Sequence, residues 1–265
     1  MPADPLDPAT LLCERCGYVV DGLPLAGACP ECGKPIAESL PARRTGTPWQ
    51  RDRTLPAAAA TCWAMWASPR RIFDAAAIAP DRARPGQTLL SLADLCHYAA
   101  AFLATLPIVL TAGGSIVVFT LGRGSAEFLP TMIWLAVLVL AAGGIAFPIT
   151  LVFAALSGIE RAGVQFFGRT RRWRVSPVVA SVVCALAAAG WVAGGVIGVG
   201  LCAGAWIAAL ASDNGAHWAN LALASPIAGF IIGLLWFEIL VYVGVRRCRF
   251  ANHAPPSPAP SGTDP

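Results

Sequence analysis

Four stretches of this chain, about 98–121, 130–157, 177–211 and 221–245, hold one acid between them, Glu238, and no lysine or arginine. About 20 apolar residues suffice for a helix to cross the hydrocarbon of a bilayer. Once there, a helix satisfies its own backbone groups. A soluble fold can bury one helix this apolar, but hardly four. Only 13% of the residues are charged, about half the share usual in soluble domains. Pro107, Pro148 and Pro226 lie inside the stretches, which membrane helices tolerate. The expectation is an all-α integral membrane helical bundle of about four transmembrane helices.

The third stretch is long for one crossing. Its 35 residues make a helix of about 52 Å, against a hydrocarbon core of roughly 30 Å. One tilted helix and a hairpin of two short ones both fit that length. Arginine placement favours the first. With four crossings, Arg161, Arg169, Arg171, Arg172 and Arg174 share a side with Arg246, Arg247 and Arg249. Arg123, Glu127 and Asp213 then lie opposite. The positive-inside bias predicts that arrangement, whereas a hairpin sends the arginine-rich tail outside. The reading is four helices in the cytoplasmic (inner) membrane, with both termini cytoplasmic.

Ahead of the bundle stands "LLCERCGYVVDGLPLAGACPECGKPI", residues 11–36, in which Cys13, Cys16, Cys29 and Cys32 form C-x2-C-x12-C-x2-C. Two facing C-x-x-C turns bring four thiolates onto one ion, which suits tetrahedral zinc. Iron is the chemical rival, since four thiolates hold either metal. Gly17 and Gly33 each follow the second cysteine of a pair, where a positive φ closes the turn. "GYVV" and "KPI" then read as short strands, so the bundle is preceded by a small β zinc ribbon. A closed four-thiolate site leaves no position for substrate, which makes one structural zinc the expected cofactor. The ribbon carries Arg15 and Lys34 against Glu14, Asp21, Glu31 and Glu38. Nucleic acid requires a basic face, so no nucleic-acid partner is expected. The other five cysteines, Cys62, Cys96, Cys184, Cys202 and Cys248, read as small apolar residues.

The remaining segments divide the chain. Residues 1–10 and 251–265 read as disordered tails, 11–40 as the ribbon, 41–56 as a linker rich in proline and mixed charge, and 97–250 as the transmembrane domain. Between them, 57–96 reads as interfacial amphipathic helices leading into the bundle. There Trp63 and Trp66 face lipid and Arg70 and Arg71 face water, or else the helices pack on the rest of the protein. "GIERAGVQFFGRTRRWRVSP", residues 158–177, alternates aromatics with arginines. Arg169, Arg171, Arg172, Arg174 and Trp173 suit an interface of anionic headgroups and membrane lipids; a groove for an acidic partner is the alternative.

Inside the spans, Gly190, Gly194, Gly198 and Cys202 recur every four residues. Such a ridge lets helices approach closely, either within the bundle or in a homo-oligomer. An unwound or pore-lining segment is the other reading. Glu238 is the ionisable group well inside a span, and His97 lies where the first helix begins. Intramembrane acids are costly and often functional. Glu238 and His97 mark a polar site, read either as a proton relay or as a structural pairing of Glu238 with an arginine of the 169–174 cluster.

"CGYVVDGLP", "CPECG", "SPRRIFD", "GIERAGVQFFGRTRRWRV" and "CRFAN" together resemble a group of uncharacterised bacterial membrane proteins with an N-terminal zinc ribbon. "SPRRIF" followed by several helices is also similar to the Yip family of multi-helix membrane proteins, whose pattern implies five helices where four are counted here. The resemblance implies no reaction. Two functions are consistent with these features. In the preferred one, a non-enzymatic membrane protein presents its cytoplasmic zinc ribbon for docking or scaffolding of a cytoplasmic protein partner. In the other, a small transporter or membrane-embedded enzyme works through Glu238 and His97.

Overall fold

The structure, a computed structural model, describes residues 10–79, 90–121, 128–212 and 215–253. Arg123, Glu127 and Asp213, placed on the far side by the arginine argument, lie outside the described residues. Eight helices follow in order: α1 (Pro48–Arg51), α2 (Leu55–Ala67), α3 (Pro69–Ala75), α4 (Leu92–Leu121), α5 (Phe128–Thr170), α6 (Pro177–Ala187), α7 (Ala189–Ala211) and α8 (Gly215–Cys248). Four stretches are long and apolar enough to cross a membrane: Leu92–Ala112, Ala142–Thr170, Pro177–Ala211 and Asn220–Cys248. Ala188, between α6 and α7, keeps right-handed helical angles (φ −56°, ψ −19°). The third stretch is therefore one helix with a local irregularity and does not double back.

Two compact units emerge, one of residues 1–89, 161–184 and 242–265, the other of 90–160 and 185–241. In the first, three short helices begin on recognisable signals. Thr47 caps α1 in a capping box with Gln50, Thr54 caps α2, and Pro48 and Pro69 occupy the first positions of their helices, where a missing N–H costs nothing. The 41–56 segment is not the linker its composition suggests. Trp49, Thr47, Arg44 and Arg53 are buried in it, and the Trp49 amide donates to Thr61 Oγ1 at 3.0 Å. Prolines and charges looked like spacer, but here they cap helices and satisfy carbonyls.

The 158–177 segment also differs from its reading as an interfacial connector. Helix α5 continues to Thr170, which leaves only Arg171–Ser176 between helices. Its end is a Schellman turn. The Trp173 amide donates to Gly168 O at 2.9 Å and the Arg172 amide to Arg169 O at 3.1 Å, with Arg172 left-handed at φ 54°. Gly168 is required there, because a Cβ would lie 2.6 Å from Val175 Cβ.

In the second unit the glycine ridge is consumed within the chain. A Cβ on Gly194 would fall 2.5 Å from Gly233 Cα, and one on Gly198 would lie 3.2 Å from Ser225 O. The ridge of α7 thus lies directly on the α8 backbone. It serves close packing within the bundle, one of the two contacts read from the sequence, and its course is helical, not unwound. Pro226 leaves the Ala222 carbonyl without its helical donor; Ser225 Oγ supplies the bond at 2.7 Å. Phe153, Trp191 and Phe230 pack with ring centroids 4.8, 5.8 and 6.0 Å apart. Beside them lies a half-open apolar cavity of about 270 Å³.

Candidate metal centre

Each cysteine pair sits on a turn built the same way. In the first, the Gly17 amide donates to Cys13 O at 2.8 Å and the Cys13 amide to Tyr18 O at 2.8 Å. In the second, the Gly33 amide donates to Cys29 O at 2.9 Å and the Cys29 amide to Lys34 O at 2.8 Å. Gly17 and Gly33 take positive φ, 81° and 70°, as their position after the second cysteine anticipated. The turns face one another, and the four sulfurs all lie within 4.8 Å of one another. Cys13 Sγ is 3.5 Å from Cys32 Sγ, and Cys16 Sγ is 3.6 Å from Cys29 Sγ. A tetrahedron with metal–sulfur bonds near 2.3 Å has edges of about 3.8 Å, so the quartet fits a single ion.

The expected strands are absent. Among the described residues the module has only isolated antiparallel bridges, Leu12 with Val19 and Ala28 with Pro35. The physical reason is local: each turn is followed by only two or three extended residues, and Pro24, Pro30 and Pro35 have no amide to lengthen a ladder. What remains is two turns around a minimal core of Cys13, Val20, Cys29 and Ile36.

Electrostatics within the quartet is uneven. Burial works against the Cys13 thiolate, yet the amides of Cys16 and Arg15, with sulfur neighbours, outweigh it and draw the thiol down to about 7. Burial pushes Cys16 up to about 12, and hydrogen bonding with neighbouring thiols adds to it. A cation binding here displaces whatever protons the thiols carry.

The first turn is clamped to residues distant in sequence. Gly17 lies against the Phe250 ring, which a Cβ would approach to 2.7 Å. Asn252 is the centre of the clamp. Its Oδ1 accepts from the Leu12 amide at 3.0 Å and from Arg174 Nη2. Its Nδ2 donates to Leu12 O at 2.8 Å and Ser39 O at 2.6 Å, and its amide donates to Glu14 Oε1 at 3.2 Å. Glu14 in turn receives Arg44 Nε at 2.8 Å, while Arg44 Nη1 donates to Phe73 O and Ala76 O. Thr10, Ala251 and Asn252 are buried, so the inner ends of both supposed tails are folded.

The other residues singled out in the sequence divide three ways. Arg169, Arg171 and Arg172 are exposed. Arg174 is not an interface residue: it is buried at 3% exposure and donates to Thr10 O, Ala251 O and Asn252 Oδ1. Trp173 lies between two guanidinium groups, Arg171 at 5.1 Å and Arg249 at 5.7 Å from its centroid. His97 and Glu238 are not brought together. His97 Nε2 is 2.9 Å from Ser157 Oγ, which also accepts from Trp191 Nε1 at 3.2 Å. Glu238 is exposed on α8, without an arginine partner among the described residues, and within electrostatic reach of Glu160. Glu160 entered no span in the sequence reading because α5 was ended at residue 157. Arg44, Glu14 and Asn252 were missed as well; the one signal was the "CRFAN" stretch in the resemblance. No protein-family model, curated protein or solved structure matches the chain.

Proposed function

We propose that this is a non-enzymatic integral membrane protein that presents a zinc ribbon on the cytoplasmic side for protein docking or scaffolding. The observation that carries the reading is the clamp. The cysteine quartet, the arginine-rich segment after α5 and the residues after α8 are packed in one unit, which is what both termini on a single, arginine-rich side require. Four sulfurs with edges matching a tetrahedron favour zinc held as a closed structural ion, with no coordination position left for chemistry. Cys13, Cys16, Cys29 and Cys32 would hold it; the ion would supply cohesion to a module whose own core is too small to fold alone.

The docking face is the outer one. The inner turn is covered by Phe250 and Asn252, whereas Tyr18 and Leu25 stand 40% and 53% exposed beside Asp21 and Glu31. Exposed Arg169, Arg171 and Arg172, with Phe166 and Phe167 next to them, suit anionic lipid headgroups at the same level. The transporter or enzyme reading keeps Glu238 and His97 as its residues, and His97 is bonded to Ser157.

The test is a pull-down from membranes with three proteins: the intact chain, a variant with all four cysteines changed to serine, and Leu25→Asp. Partners retained by the intact chain and lost with both variants are the expected result. Identical partner sets in all three would reduce the ribbon to a folding device. In parallel, Glu238→Gln is expected to leave partner capture unchanged.

A further inference from the structure

The cavity in the second unit is built too deliberately to be a packing gap. One wall is the aromatic triangle of Phe153, Trp191 and Phe230, all three of which line the space. Trp191 is fixed in orientation from behind. Its indole N–H donates to Ser157 Oγ, and Ser157 is bonded to His97; both residues are buried, at 7% and 4% exposure. Small residues, Ala104 on α4 and Gly195 on α7, also line the space, and Gly195 lets α4 come close, because a Cβ there would lie 2.7 Å from Leu103 Cβ. Collapse is blocked as well, because α7 and α8 already touch backbone to backbone at Gly194 and Gly233.

Water does not fill such a space. At about 270 Å³ it is many times the ~10–15 Å³ that admits one molecule, but a buried water also needs two to four polar partners. The lining side chains are aliphatic, aromatic or absent, and the one polar atom among them, the Trp191 indole nitrogen, is committed to Ser157. The residues that form the cavity belong to the four stretches long and apolar enough to cross a membrane. The material in contact with such helices is hydrocarbon chain.

We infer that this cavity is a seat for the acyl chain of a bilayer phospholipid, held against the Phe153–Trp191–Phe230 wall. The inference is independent of the proposed docking role. The chain's function there is to complete the packing of α4, α5, α7 and α8, and the His97–Ser157–Trp191 relay is the device that holds the wall flat for it.

The experiment uses the full chain in nanodiscs of dioleoyl phosphatidylcholine, or of the same lipid brominated at mid-chain. The emission of Trp191 is taken as the difference between the protein and its Trp191→Phe variant. Bromine quenches over short range, so a seated chain should reduce that emission several-fold. In Ala104→Phe, which fills the space, the emission should be protected. If Ala104→Phe fails to fold by helix content, Ala104→Leu serves with the same expectation. Equal Trp191 emission in the two bilayers overturns the inference. So does quenching that persists unchanged in the filled variant, or a cavity occupied by a second copy, seen as a dimer that Ala104→Phe dissociates without any bromine effect.

Discussion

The two units of this protein are held together by opposite means. Of nineteen lysines and arginines, only Arg123 belongs to the unit of residues 90–160 and 185–241. That unit is cohesive through glycine-to-backbone contact and stacked aromatics, with small polar relays such as His97–Ser157–Trp191 and Trp206–Thr111. The other unit buries Arg44, Arg53, Arg174, Thr47 and Asn252, and its integrity depends on each of those groups finding an acceptor or donor. The lesson is about solvent. In hydrocarbon, apolar surface gains nothing by being hidden, so close fit and lipid do the work. Beside water, a module with four core residues needs covalent-strength help, which an ion held by its four thiolates would provide.

The sharpest way to break the comparison is to take away the quartet's capacity to hold an ion. Metal stripping, or serine at positions 13, 16, 29 and 32, should expose residues 11–40 to protease and raise amide exchange in Leu12, Ser39 and Asn252. Apparent metal-binding energies of roughly 10–16 kcal/mol for small zinc modules exceed what this core can replace. Helix content from residues 90–160 and 185–241 should hardly change. Hydrogen exchange measured on the stripped, membrane-embedded protein decides it; uniform protection in both units would show that the quartet contributes no stability.

A narrower comparison sets one polar residue of each unit against the other. Asn252→Ala strips partners from the buried Leu12 amide, the Leu12 and Ser39 carbonyls and Arg174. Leaving several buried groups unpaired, one of them charged, should cost about 3–5 kcal/mol. Ser157→Ala removes the shared hydrogen-bond partner of His97 and Trp191. Interhelical hydrogen bonds in membranes average only ~0.6 kcal/mol and reach about 2, so the loss should be near 1. Denaturant titration of each variant in detergent measures both, and a ratio near one would erase the contrast.

How much of this was readable beforehand follows the same division. The four long apolar helices and the cysteine quartet depend on local pattern, apolar run length and C-x-x-C spacing, and both are plain in the chain. Glycine spacing on α7 was plain too, but its partner was not, because nothing in a ridge says which helix lies on it. The clamp was invisible for a stronger reason. Asn252 is 240 residues from Leu12, and a short polar run near a chain end looks the same whether it is solvated or buried. Arg174 was assigned to lipid because its neighbours Arg171 and Arg172 are exposed; only the left-handed turn at Arg172 sends the next arginine inward. The 41–56 segment misled because its prolines and threonines, which look like spacer, are also the residues that start helices.

The smallest expected effect tests whether burial in the charged unit extends to its last described residue. His253 is half-buried, and its Nε2 lies 3.2 Å from Ser176 Oγ, whose oxygen already accepts from the Val179 amide at 3.2 Å. The Ser176 hydroxyl is free to donate to a neutral imidazole. Burial lowers the His253 pKa below its ordinary 6.5, and the nearby Arg174 charge lowers it further. A histidine whose folded pKa is depressed binds fewer protons folded than unfolded. Its contribution to stability is thus complete above about 6.5 and is lost as pH falls from there toward the folded value. His253→Gln keeps an acceptor for Ser176 without a titrating ring. Between pH 7.5 and 5.5 the intact protein should lose slightly more melting temperature than the variant, any acid release of the metal being common to both. Identical pH slopes would mean that the imidazole is solvated and that the clamp ends at Asn252.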